Sequence, residues 1–86
     1  MAELIHRHST HVRTPDGRIY TANVYGERQL DGHWVGWLEF QDIDGHVVLR
    51  TARDTTQPNR DALDYWASGL EPTYVEGAFT RARLVA

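Results

Sequence analysis

The chain reads as an α+β domain: an antiparallel β-meander of four strands, then one amphipathic helix packed on one sheet face, then one final C-terminal strand, in the order ββββαβ. Three observations predict this. Three Asp-Gly pairs, Asp16-Gly17, Asp31-Gly32 and Asp44-Gly45, separate β-prone segments. An apolar stripe at helical spacing follows them, and a loosely alternating segment comes last. The 86 residues suit a single domain over 1–86, and 41% hydrophobic with 24% charged side chains is ordinary for a chain that buries a core.

Asp-Gly between β-branched and aromatic residues is a strong hairpin signal, because glycine accepts positive φ without steric cost. The three corners delimit strands at roughly 5–14, 18–29, 33–42 and 46–53. Pro15 fits the second position of a type I turn, so Thr14-Pro15-Asp16-Gly17 ends on a left-handed bulge glycine. That turn sets Val12 opposite Tyr20, Thr10 opposite Ala22 and His8 opposite Val24. A three-residue corner at Leu30-Asp31-Gly32 puts Val24 opposite Leu38 and Ala22 opposite Phe40. A two-residue Asp44-Gly45 turn pairs Phe40 with Leu49 and Glu39 with Arg50.

One core face results: Val12, Tyr20, Ala22, Val24, Trp34, Leu38, Phe40, Val47 and Leu49. The other face is mostly polar around a Tyr25–Trp37 cross-strand pair. For the helix, Thr56 or Gln57 would cap, Pro58 would sit in the first turn, and Asp61 would favour the positive end of the dipole. Ala62, Leu63, Trp66, Ala67 and Leu70 form its apolar stripe, Gly69 suits its C-terminal end, and Pro72 stops it. Thr73–Arg83 alternates loosely and reads as the last strand.

The block Thr55-Thr56-Gln57-Pro58-Asn59-Arg60, with Tyr65-Trp66-Ala67-Ser68-Gly69-Leu70-Glu71-Pro72 and Glu76-Gly77-Ala78-Phe79, resembles a group of small bacterial proteins of unknown function. With Trp37-Leu38-Glu39-Phe40 the likeness runs from about Thr14 onward. The resemblance implies a bacterial, stand-alone domain and transfers no functional residue.

Charge excludes some functions. A formal net charge of -3 and a pI near 5.9 disfavour non-specific binding to nucleic acid, which needs many cationic phosphate contacts. All nine basic residues are arginine, a choice that suits planar bidentate contacts but that a GC-rich genome also produces. With no cysteine, thiolate metal sites, disulfides and cysteine nucleophiles are excluded. No apolar run reaches the roughly 18 residues of a membrane span. Met1–His6 lacks the basic-then-apolar pattern of a signal peptide, so a cytoplasmic location is the default. No cofactor motif is present, and the glycines mark turns and strand positions rather than a phosphate cradle.

The histidine cluster His6-Arg7-His8-Ser9-Thr10-His11 is the candidate metal site. His6 and His8 share a strand face, whereas His11 has the opposite parity, and His33 and His46 are conceivable further ligands. Solvated imidazoles on a polar strand are the plainer reading. Ser9 cannot hydrogen-bond a sequence-adjacent histidine across a strand, and Ser68 lacks a nucleophile elbow. Asp61 and Asp64 share a helix face beside Asp54 and Glu71, a pattern that a solvated helix surface explains. Nothing here argues persuasively for an enzyme. The helix can cover only one sheet face, which leaves Tyr25, Val35, Trp37, Glu39 and Arg50 as the candidate binding surface for a partner protein or for self-association. Single-stranded nucleic acid stacking on Tyr25 and Trp37, flanked by Arg13 and Arg50, is an alternative.

Overall fold

The computed structural model describes residues 1–85. Its strands are β1 (Glu3–Arg13), β2 (Ile19–Arg28), β3 (Trp34–Asp42), β4 (Val48–Arg50), β5 (Thr55–Gln57) and β6 (Arg83–Leu84); its helices are α1 (Arg60–Ser68) and α2 (Pro72–Arg81). All pairings are antiparallel in the order β1-β2-β3-β4-β6, with β5 also on β3.

Each Asp-Gly corner is a tight turn whose glycine takes positive φ, +88° at Gly17, +91° at Gly32 and +77° at Gly45. The Gly17 and Gly32 amides donate to the carbonyls of Thr14 and Gln29, closing the turns as expected. The β2–β3 register is the expected one throughout, including Ala22 with Phe40, Val24 with Leu38 and Tyr25 with Trp37. Phe40 meets Leu49 and Glu39 meets Arg50, also as expected. The third corner differs in size: the Asp42 amide bonds to the Val47 carbonyl, leaving four residues in the loop rather than two. The Asp42 carboxylate makes this work by accepting from the His46 amide.

Four expectations need correction. First, β1 keeps the pairing of Val12 with Tyr20 but then bulges, so His8 meets Ala22 and His6 meets Val24, two residues from the expected partners. Bulges absorb extra residues in one strand and bend it. Second, the helix cap is Asn59, whose side chain accepts from the Ala62 amide, while Thr55–Gln57 forms β5. β4 and β5 lie along the same edge of β3, joined by an excursion anchored where the Thr51 amide meets the Leu38 carbonyl and the Asp54 amide meets that of Gly36.

Third, the segment expected as a strand at Thr73–Arg83 is helix α2, with Pro72 opening it. Proline lacks an amide hydrogen, and the first helical position needs none. Val75, Ala78, Phe79 and Ala82 supply the stripe, and Phe79 stacks on Tyr20 and Phe40 with ring centroids 5.0 and 5.2 Å away. Fourth, the terminal strand is only Arg83–Leu84, added beside β4. The architecture is therefore an α+β antiparallel sheet of six strands with two helices, not ββββαβ with one.

Both helices pack on the same sheet face. Ala67 of α1 and Val75 and Ala78 of α2 join Val12, Tyr20, Ala22, Val24, Leu38 and Phe40 in one core. Leu63 is fully buried above the cross-strand glycines Gly26 and Gly36. A Cβ on either would lie 2.5 or 2.7 Å from a Leu63 methyl, so the glycine pair is the seat that lets α1 approach the sheet.

Candidate functional site

The opposite sheet face carries no helix, and its side chains fall into rows because cross-strand partners share a face. One row crosses all five neighbouring strands: Arg7 pairs with Asn23, Asn23 with Glu39, Glu39 with Arg50, and Arg50 with Arg83. The next row holds Leu4, Tyr25 and Trp37, and beyond it lie Glu27 and Val35. On the other side come Thr21, Gln41 and Val48, then Arg13 and Ile19.

The sequence-derived binding residues thus do converge. Tyr25, Val35 and Glu39 are half-buried and Arg50 is exposed, all on this face. Trp37 departs from the expectation of a bare aromatic: it is 5% exposed. The Arg50 guanidinium lies 4.4 Å above the Trp37 ring centroid, and the indole Nε1 donates to Glu39 at 3.1 Å. The Arg50 guanidinium thus covers the Trp37 ring face that the nucleic-acid alternative offers for stacking.

Arginines outnumber glutamates on this face, four to two. Glu27 is engaged by the N-terminal amine at 3.3 Å and Glu39 by the Trp37 indole. Arg18, Arg60 and Arg81 have carboxylate partners; Arg7, Arg13, Arg50 and Arg83, like Arg28 and Arg53, have none within salt-bridge distance among the described residues. The acidic side chains Asp61, Asp64, Glu71 and Glu76 are exposed on the helical layer instead. Beside Arg7 the sheet dips into an open trough of about 530 Å³, lined by His11, Thr21, Asn23 and Gln41 and closed by the turn at Ile43–Gly45.

The β1 bulges explain where the histidines go. His6 and His8 pair with the helix-side residues Val24 and Ala22 and have ring centroids 6.2 Å apart, while His11 lines the trough on the other face, which His8 also borders. His8 Nδ1 accepts from the Thr10 amide at 3.0 Å, which requires its Nε2 to carry the proton donated to the Leu70 carbonyl at 2.7 Å. Both nitrogens are thereby committed to backbone groups, and a metal at His8 would have to displace one of them. His33 Nδ1 lies 3.2 Å from Asp31 within its own corner. Among the described residues no group of three or more His, Cys, Asp or Glu side chains could hold a metal ion.

Sequence reasoning placed Asp54 on a solvated rim, yet its side chain is 2% exposed. It accepts from Thr51 Oγ1 at 2.5 Å and from the Tyr74 hydroxyl at 3.0 Å, and pairs with Arg81 at 2.8 Å. Thr51 Oγ1 in turn accepts from the Leu38 amide. This network ties the β4–β5 excursion to α2, which is a structural task. Partial burial, followed by the Asp54 hydrogen bond and charge, raises the Tyr74 hydroxyl above its ordinary pKa. The trough and the Asp54 network had no signal in sequence, because each joins residues far apart in the chain. No helix among the described residues is long and apolar enough to cross a membrane. No family model matches the chain, and no curated protein or solved structure matches it either, so its own geometry carries the functional reading.

Proposed function

We propose that this chain is a small protein-interaction or regulatory domain, acting in the cytoplasm, that engages a partner protein through the sheet face opposite the helices. The observation that carries this reading is the make-up of that face: four arginines without carboxylate partners among the described residues lie to one side of half-buried Tyr25 and Val35. Tyrosine and arginine are enriched where binding energy concentrates, and a half-apolar patch rimmed by polar groups suits a docking surface. A second copy of the chain is the other occupant this reading admits.

The test replaces Tyr25 with Asp, since Trp37 is buried and its loss would confound folding with binding. Partners retained from lysate by the wild-type protein, or a dimer mass in light scattering, should be lost in Tyr25→Asp while the melting transition persists. If every partner and the mass stay unchanged, the sheet face is not the interface.

A further inference from the structure

We infer that the partner presents an extended acidic segment, which lies across the strands along the row Arg7–Asn23–Glu39–Arg50–Arg83. The inference rests on the reading of this face as a protein interface and adds the chemistry of what binds there.

The charge balance of the face is the first support. It carries four arginines against two glutamates; Glu27 is paired with the N-terminal amine, Glu39 keeps its charge while accepting from the Trp37 indole, and the arginines lack carboxylate partners within salt-bridge distance among the described residues. Guanidinium groups bind carboxylates bidentately, and such charge-assisted bonds are the stronger class. The second support is geometric. Strands lie about 4.8 Å apart, so Arg7 stands about 14 Å from Arg50, with Arg83 one strand further. An extended peptide advances about 3.3 Å per residue and places every second side chain on the same side. Two acidic residues four positions apart therefore reach Arg7 at one end and the Arg50–Arg83 pair at the other. The residue midway between them falls near Asn23 and Glu39, where a third carboxylate would meet like charge and a hydroxyl or amide would not. At the Arg7 end the trough offers His11, Thr21, Asn23 and Gln41 as further polar contacts for a carboxylate. Asp42 and Asp44 also border the trough; the Asp42 carboxylate is turned to the His46 amide and to Arg18, whereas Asp44 is exposed and disfavours a carboxylate at its own end, so the acidic residue seats at the Arg7 end.

Self-association through this row is opposed by the same charges. A two-fold axis across the row sets Arg7 against Arg83 and Glu39 against Glu39, and an axis along it sets each residue against itself. Stacking the acidic helical layer of one copy on the sheet face of the next would be head-to-tail, which leads to open filaments rather than a closed dimer.

The probe is a synthetic peptide of about eight residues carrying two Glu four positions apart with Ser between them, titrated into the isotope-labelled full chain and followed by NMR. Comparison arms are the same peptide with Glu at the midpoint, the same peptide with Lys for Glu, and a short oligothymidylate. The Glu/Ser peptide should shift resonances of Arg7, Asn23, Arg50 and Arg83, with affinity that falls as salt rises. Arg7→Ala and Arg83→Ala should each weaken it about tenfold. Arg83→Lys should recover part of the loss, Arg60→Ala on the helical side should leave binding unchanged, and the midpoint Glu should weaken it. Binding insensitive to Arg7→Ala and Arg83→Ala overturns the inference, as does tighter binding of the oligothymidylate or a dimer formed through the row. If the acidic peptide does not bind but a Tyr25-dependent partner is retained, the acidic-segment inference fails and the interface reading stands; if neither binds, both fail.

Discussion

Along β2, Ala22 and Val24 are fully buried beneath the helices, whereas Asn23 and Tyr25, one residue further in each case, lie half-buried on the face that no helix covers. On the covered face shape decides identity: Leu63 needs two glycines beneath it, and Phe79 needs Tyr20 and Phe40 to land on. On the uncovered face charge decides, and Trp37 there lies beneath an arginine rather than in the core. The contrast teaches that low exposure has two origins in this molecule. Only one of them is hydrophobic packing against a second layer.

The largest expected effect comes from the covered face. Leu63→Ala should destabilise the fold by about 3 kcal/mol in urea denaturation, since a buried leucine loses both transfer energy and packing. A loss below about 0.5 kcal/mol, the range typical of surface substitutions, would erase the distinction between the faces.

Next comes the network that clamps the sheet edge to α2. Asp54→Asn should cost about 1–3 kcal/mol, because Tyr74, Thr51 and Arg81 lose a buried carboxylate partner. Its neighbour gives the pH signature. The Tyr74 pKa is raised in the fold, so above about pH 10 the unfolded chain releases this proton before the folded one does. Stability from Tyr74 is therefore complete below pH 10 and is lost as pH climbs through the raised value. Tyr74→Phe should flatten that alkaline decline in a melting-temperature profile, and an unchanged slope would place its origin elsewhere.

The smallest effect belongs to the uncovered face. Arg50→Ala should cost about 0.5–1 kcal/mol, the worth of one solvent-facing cation–π contact, while moving the Trp37 indole N–H resonance and speeding its solvent exchange. If the indole resonance does not move, something other than Arg50 shields the ring, and the description of the uncovered face must change.

The sequence by itself determined what short-range chemistry decides. Asp-Gly corners require a left-handed residue, and their size sets the pairing of β2 with β3 and of β3 with β4, so the apolar residues agreed on one face. That Tyr25, Val35, Glu39 and Arg50 share one sheet face was legible for the same reason, being partners or near neighbours in that register. Pro72 was not legible, because the missing amide that ends one helix equally suits the first turn of the next. Val75, Ala78 and Phe79 satisfy a helical period and a loose alternation alike. Only the sheet surface offered by Tyr20 and Phe40 selects the helix. The β1 bulges, the seat of Leu63 on Gly26 and Gly36, the placing of Arg50 over Trp37 and the clamp at Asp54 were likewise decided by tertiary structure. Each depends on whether a residue distant in the chain arrives at contact distance, and that is set by how the layers pack rather than by any local preference.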